Sequence, residues 1–252
     1  MHQAAGLRAG PLHGSASLVP VVSPVEPEQA YEALYWLACR IRDTGLAPVI
    51  LDATAQENPK APGAGLMQVL DAPETHAFRP MEPWPILPSA QGLKALQATA
   101  RAGGARIAVS RLLAPFDHQT AALLYAPADE LAGLLSGTSA SVMVPVLQPE
   151  PGSIDVYCAV KLLHQADLVP VLAPLDTGAN DGPGNAGLDQ VVRSVADCAR
   201  RHLGLEIAVW PDRQWGDLAR EGALTRTLSY DDMDSGGEPG SIAHAEVRIY
   251  WS

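Results

Sequence analysis

The decisive stretch of this 252-residue chain is PEPGSIDVYCAVK, which spans residues 149–161. It follows a short apolar segment at residues 142–147, whose pattern predicts a buried strand. A strand that leads through a proline-punctuated turn into a helix is the joint of a βα unit. Ile154, Tyr157 and Cys158 have helical spacing, so we expect them to share the apolar face of that helix. The stretch therefore predicts an α/β domain.

Composition limits the classes of protein that the chain can represent. Its 17 Lys and Arg against 28 Asp and Glu give a net charge of −11, which argues against a nucleic-acid or anionic-membrane surface. Cys39, Cys158 and Cys198 form no CxxC pair, so we expect reduced core cysteines. The start lacks the features of a signal peptide, and no apolar run approaches the ~18 residues of a membrane span. We therefore expect a cytoplasmic protein, and the scattered histidines favour no metal site.

Residues 149–161 resemble a segment of the MinD/ParA-type P-loop ATPases, and within them of the FlhG/FleN-type regulators of flagellar number. Those proteins carry a strand followed by a Pro-Glu-Pro-x-Ser-Ile-x-x-Tyr-x-x-x-Lys helix. The matching residues are Pro149, Glu150, Pro151, Ser153, Ile154, Tyr157 and Lys161. The resemblance implies a single α/β domain with a mostly parallel β-sheet and helices on both faces.

The predicted domain occupies residues 18–229. Residues 1–17 are expected to be a flexible N-terminal segment that includes a partner-docking helix. Residues 230–252 are predicted to form an acidic, glycine-rich loop followed by a C-terminal strand, because residues 242–251 alternate as a strand does. That last stretch carries one arginine, so we expect no basic amphipathic membrane anchor.

The resemblance places a phosphate-binding loop between the strand at residues 18–22 and the helix that follows. In those ATPases this loop is rich in glycine and carries two lysines. Here Ala30 stands in place of the P-loop lysine and Val25 in place of the second, signature lysine. No lysine and no glycine occurs between residues 21 and 42. Since a P-loop offers backbone N–H groups and a lysine to the phosphates, the loop lacks what binding requires.

The residues that do occupy this loop oppose a phosphate. Pro24 and Pro27 each remove a backbone N–H donor. Glu26 and Glu28 add negative charge where the helix dipole offers only about +0.5. A triphosphate would meet net repulsion, whereas the glutamates suit a helix N-terminus. The loop is therefore predicted to be a helix cap and not a ligand site.

Three further positions depart from the pattern that the resemblance implies. Asp52 and Ala53 match the family's Asp-Ala-Asp, but Thr54 replaces the second Asp, which helps to position metal and water. Tyr125 replaces the metal-binding Asp of the Walker B strand, and a phenol is no substitute for a carboxylate as a Mg²⁺ ligand at neutral pH. Ala173 stands where relatives have an Asn that reads the adenine. We therefore expect no nucleotide, no metal and no other cofactor.

Several functions remain compatible with the sequence. The first is a catalytically inactive binding or regulatory factor, acting in flagellar assembly or polar organisation. The second is an active ATPase with a remodelled site, in which Asp129 or Glu130 is a displaced metal ligand; otherwise these carboxylates favour the start of a helix. The third is a MinD-like accessory of another machine, such as cellulose synthesis or partitioning. Without the signature lysine we expect no ATP-dependent homodimer.

Residues 2–8, HQAAGLR, resemble the Asp-Gln-Ala-x-x-Leu-Arg segment with which FlhG-type proteins often begin. In that family the segment forms a short helix that activates a partner GTPase. The resemblance implies an FlhF-type GTPase or another flagellar component as partner, bound through Gln3, Leu7 and Arg8. His2 replaces the family's Asp, and the alternative is a frayed terminus without a partner.

Overall fold

Strands and helices alternate along the chain, as the predicted βα units require. A computed structural model describes residues 16–24, 27–58, 65–72, 84–147, 153–175 and 184–225, without the side chains of 27–30 and 184–186. Its strands are β1 (Ser17–Val22), β2 (Ala47–Asp52), β3 (Ile86–Pro88), β4 (Thr120–Ala126), β5 (Ser141–Val146), β6 (Val169–Pro174), β7 (Ala208–Val209) and β8 (Leu224–Thr225). Its helices are α1 (Pro27–Asp43), α2 (Leu66–Asp71), α3 (Ala90–Gly103), α4 (Ala105–Leu113), α5 (Ala128–Leu135), α6 (Ser153–Gln165), α7 (Gly184–Leu203) and α8 (Trp215–Glu221).

One mostly parallel sheet organises the described residues, in the order β3-β2-β4-β1-β5-β6-β7. Each neighbouring pair in this order is parallel. The exception is β8, which pairs antiparallel with the amino-terminal end of β1 through Ser17–Thr225 and Leu18–Leu224. The predicted α/β fold with a mostly parallel sheet is confirmed.

Two hydrophobic clusters cover the two faces of the sheet. One contains Leu34 and Leu37 of α1 together with Trp215 of α8, and we call this side the α1 face. The other contains apolar side chains from α2 to α7. Because both faces are covered, β1 and β4 are buried at every position, which explains their continuous apolar sequence. Helices on both faces are therefore confirmed.

Some element boundaries differ from the prediction. Residues 106–118, which permitted either a strand or a helix, contribute to α4. The sequence of residues 205–210 predicts a strand, but only Ala208–Val209 form one, β7, which pairs with β6 among the described residues. The predicted strand at residues 242–251 lies outside the described residues, as do most of residues 1–17.

The apolar face predicted for α6 is wrong for Ile154 and Cys158, whereas Tyr157 is half-buried and packs against the core. Ile154 is 70% exposed and Cys158 is also exposed. The buried positions are instead Ala159, Val160 and Leu163, because α6 packs between α5 and α7 and turns this stripe towards the sheet.

The prediction that the cysteines lie in the core is wrong. All three are free thiols, Cys158 being exposed and Cys39 and Cys198 half-buried. Within the described ranges, none of the helices has the length and apolar character needed to cross a membrane.

Candidate functional site

The carboxyl ends of β1, β4 and β2 meet beneath the start of α1. The strand register places Val21 beside Tyr125 and Tyr125 beside Asp52. Two residues earlier on the same strands, Leu123 and Ile50 belong to the cluster on the α1 face. Because side chains alternate along a strand, Tyr125 and Asp52 also point to that face. Ligands of open α/β sheets bind outside the carboxyl ends of the strands, so this is the candidate site.

The Asp52 carboxylate is enclosed by hydrogen-bond donors of the chain itself. Its Oδ2 accepts a hydrogen bond from the Tyr31 hydroxyl at 2.7 Å. Its Oδ1 accepts one from the Thr54 backbone N–H at 2.9 Å and one from the Thr54 hydroxyl at 2.6 Å. The side chain is almost fully buried, at 2% exposure. None of the ion pairs among the described residues involves Asp52, so the hydrogen bonds to its carboxylate come from uncharged donors.

Tyr125 fills the space beside this carboxylate. It is 1% exposed, and its ring centroid lies 6.1 Å from that of Tyr31. Within the described residues its hydroxyl has no hydrogen-bond partner. Burial raises the pKa of Tyr125 well above its usual range, with smaller contributions from Tyr31 and Asp52. The hydrogen bond to Asp52 is the main cause of a raised pKa at Tyr31. Both phenols are therefore neutral at physiological pH.

These residues do not fit a magnesium-bound triphosphate. In a P-loop the lysine is followed by Ser or Thr, whose hydroxyl binds Mg²⁺. The corresponding residues here are Ala30 and Tyr31, and the Tyr31 hydroxyl already donates to Asp52. Mg²⁺ requires oxygen ligands in near-octahedral geometry, but both Asp52 oxygens accept hydrogen bonds and Tyr125 is a neutral phenol. The site is therefore a buried carboxylate whose two oxygens already accept hydrogen bonds from the chain itself.

The structure brings together only part of the predicted site. Asp52, Thr54 and Tyr125 meet, whereas Ala173 lies in β6, which β1 and β5 separate from β4. Ala30 belongs to α1, but its side chain is not described. In α6, Ser153 and Tyr157 are half-buried and Lys161 is exposed. The predicted residues that lie outside the described part of the chain are Gln3, Leu7, Arg8, Val25, Pro149, Glu150 and Pro151.

Asp129 and Glu130 take the helix-start position that the sequence favours. Both lie in the first turn of α5. This helix packs on the sheet face opposite to α1, away from Asp52 and Tyr125. Burial raises the pKa of Glu130, and the charged groups that act on it are Asp129 and Lys94. The position of this helix favours the helix-start role of the two carboxylates.

Glu57 is a buried carboxylate that sequence reasoning missed. Its Oε2 accepts a hydrogen bond from the Met67 N–H at 2.9 Å, and its Oε1 accepts one from the Gly92 N–H at 2.7 Å. Met67 lies in the first turn of α2 and Gly92 in that of α3. Neither helix has a side-chain hydrogen bond from its own N-cap residue, so Glu57 caps both. Its partners are 10 and 35 residues away, so no local pattern could identify it.

Tyr31 is the second residue that the sequence analysis missed. The available signal was its position directly after Ala30, where a P-loop has a small hydroxyl residue. A tyrosine there is long enough to carry its hydroxyl across to the end of β2.

The fold is similar to solved structures of McdA from Cyanothece. The ATP complex has a TM-score of 0.50 and 14% identity, covering 87% of this chain and 93% of that chain. Apo McdA has a TM-score of 0.50 and 15% identity, covering 86% and 95%. The MinD cell division protein of Aquifex aeolicus has a TM-score of 0.42 and 13% identity, covering 82% and 87%, which supports no argument by itself. No family model and no curated protein matches the sequence. The similarity to McdA shows the fold, which is that of the MinD/ParA-type P-loop ATPases.

We expect Tyr125→Phe to raise the free energy of unfolding by about 1 kcal/mol at pH 7, because it removes a buried hydroxyl without a partner. Because the pKa of Tyr125 is raised in the folded state, the wild type keeps its full stability below the unfolded pKa of about 10 and loses stability as the pH rises above it. The phenylalanine variant lacks this loss, so its advantage over the wild type should grow above pH ~10. Denaturant unfolding at pH 7 and above pH ~10 measures both effects.

The matched control is Tyr157→Phe in α6, which should leave stability nearly unchanged at pH 7. A loss of stability in Tyr125→Phe would contradict the geometry, since it would mean that the hydroxyl has a hydrogen-bond partner.

Proposed function

We propose that this protein is a catalytically inactive regulator with the MinD/ParA fold, which acts by binding a protein partner. The observation that carries the proposal is the closed Asp52 carboxylate, with Tyr31 and Thr54 bonded to it and Tyr125 beside it. The fold alone does not decide the activity, so the proposal depends on the chemistry of this site. The loop from Ser23 to Ala30, without lysine or glycine, supports it.

The cellular setting that we propose is cytoplasmic, in flagellar assembly or polar organisation. Its support is the resemblance of residues 149–161 and residues 2–8 to FlhG-type proteins. A MinD-like accessory of cellulose synthesis or partitioning would have the same fold, so the neighbouring genes separate these settings. Flagellar genes beside this one favour the proposal, whereas cellulose or partition genes oppose it.

ATP with Mg²⁺ is expected to leave the melting temperature unchanged. A ligand at 100 times its Kd stabilises by about 2.7 kcal/mol, which a thermal-shift measurement readily detects. The aspartate-to-alanine variant of Cyanothece McdA, which has been solved with ATP, is the positive control under the same conditions. Light scattering on the same samples should show no ATP-dependent dimer. A Mg²⁺-dependent rise in melting temperature would instead support an active ATPase with a remodelled site.

The N-terminal residues are expected to raise GTP turnover by an FlhF-type GTPase from the same genome. Gln3 and Leu7 are spaced as neighbours on one helical face, but so short a helix is stable only when bound. A glutamine can orient the attacking water in a GTPase. Turnover assays should compare the wild type with Gln3→Ala and with a deletion of residues 1–10.

His2→Asp tests the same segment in the opposite direction, because Asp is the better helix cap and should increase the activation. Equal turnover with every variant would mean that residues 2–8 do not dock.

A further inference from the structure

The outer side of α1 carries an unusual set of exposed aromatic side chains. Tyr35 is 52% exposed and Trp36 39%, and Tyr35 lies between Trp36 and the buried Trp84 in the chain of ring contacts. The rings of Tyr35 and Trp84 lie 5.3 Å apart, and those of Tyr35 and Trp36 lie 6.3 Å apart. The guanidinium of Arg40 lies 6.0 Å from the ring centroid of Trp36, and that of Arg42 lies 5.8 Å from that of Trp84. We call these five residues the aromatic–arginine surface.

Of the three aromatic residues in this surface, only Trp84 belongs to the hydrophobic core, whereas Tyr35 and Trp36 remain exposed. The core side of α1 is formed by other residues, among them Leu34, Leu37 and Ile41. Trp, Tyr and Arg are the residue types that dominate protein-binding hot spots, and they are costly to leave in contact with water. The surface therefore has the composition of a docking site.

The two arginines determine which charge the occupant must carry. Stacking on an aromatic ring leaves the edge of a guanidinium open to pair with a carboxylate. Glu32 and Asp43 are acidic residues of the same helix, but the ion pairs among the described residues include neither arginine. An acidic segment with apolar or aromatic residues of its own would complement the surface.

We propose that the occupant is residues 230–252 of this same chain. This segment carries a cluster of carboxylates and ends in an apolar stretch. The carboxylates are Asp231, Asp232, Asp234 and Glu238, and the apolar stretch includes Ile249, Tyr250 and Trp251. The inference goes beyond the proposed function and does not depend on the absence of nucleotide binding.

The topology brings the start of this segment to the arginines. β8 ends at Thr225, beside Ser17 at the amino end of β1. α1 leaves the carboxyl end of β1 and returns to the amino end of β2, so its last turn with Arg40 and Arg42 lies at the same end of the sheet. Asp231 follows Thr225 by six residues, which reach at most about 20 Å when extended. The acidic cluster therefore begins within about 20 Å of Thr225, at the end of the sheet where the arginines lie.

A photo-crosslinker in the full-length chain tests the proposal. Benzoylphenylalanine in place of the exposed Tyr35 should cross-link within one molecule to residues 230–252, at a yield independent of protein concentration. The same group at Ile154, which is 70% exposed on α6, is the matched control and should not reach this segment. Thermal unfolding verifies that both labelled proteins are folded.

Charge reversal supplies the second arm. Arg40→Glu with Arg42→Glu should lower the yield by up to about tenfold. Adding Asp231→Lys and Asp232→Lys to that variant should restore it. Three results overturn the proposal: equal cross-linking from positions 35 and 154, a concentration-dependent cross-link between two copies, or a yield insensitive to charge reversal. The second of these would assign the surface to another copy of the chain.

Discussion

Replacing Glu57 by alanine is expected to lower the free energy of unfolding by about 3–4 kcal/mol. The variant loses two hydrogen bonds to a charged acceptor, each worth about 1.5–3 kcal/mol, and leaves the N–H groups of Met67 and Gly92 without this partner. Both groups lie at helix N-termini, where an anion is favourable. Gly65 adds a steric reason, because a Cβ there would lie 2.8 Å from the Glu57 Cγ. The site is therefore shaped around this one side chain.

Two further variants separate the role of the carboxylate from that of the side chain's volume. Glu57→Gln keeps the shape but offers one acceptor oxygen to two donors, so it should lose about half as much. Glu206→Ala removes an exposed glutamate and should change stability by less than about 0.5 kcal/mol. Urea unfolding measures all three variants. An effect of Glu57→Ala as small as that of Glu206→Ala would contradict the double cap.

Gly216→Ala is expected to lower the free energy of unfolding by about 2–3 kcal/mol, although alanine is the better helix former. α8 crosses α1 so closely that a Cβ at Gly216 would lie 2.4 Å from the backbone oxygen of Arg40. Since the obstacle is backbone, the two helices must move apart, and such overpacking costs about 1–3 kcal/mol. The adjacent Trp215 is fully buried, so this movement would also disturb the core.

Gly133→Ala in α5 is the matched control for this close contact. A Cβ there would meet only the Gln97 side chain, at an ordinary 3.6 Å. The substitution should therefore raise stability by up to about 1 kcal/mol through helix propensity alone. Opposite signs for the two glycine variants in urea unfolding are the expected result, and equal signs would refute the close crossing.

The sequence predicted those parts of the fold that are determined by the residue pattern within a single segment. β1 and β4 are continuous apolar segments because each is buried on both faces. A short segment of this kind by itself predicts a buried strand. The buried face of α6 was predicted wrongly, because helical spacing shows which residues share a face but not which face meets the sheet. Ile154 and Cys158 share a stripe as predicted, but that stripe faces solvent. The two-residue β8 has too little sequence to leave a pattern.

In the candidate site, too, the sequence identified some of the residues and missed others. Thr54 and Tyr125 were identified as departures because each replaces a carboxylate at a position that the resemblance defines. Tyr31 was missed because its partner Asp52 is 21 residues away on another element. Sequence reasoning therefore indicated what the site lacks, and the geometry was needed to show what fills it.

The contact between Tyr31 and Asp52 has an evolutionary consequence, because it makes any loss of phosphate binding hard to reverse. A lysine regained at position 30 would still lack the loop's glycines, and Asp52 would remain bonded to Tyr31 and Thr54. Removing Tyr31 first would leave a buried carboxylate short of a donor, which lowers stability before any affinity is gained. Neither change therefore gains phosphate affinity as a first step, whereas substitutions on the outer surfaces of the molecule leave this contact intact.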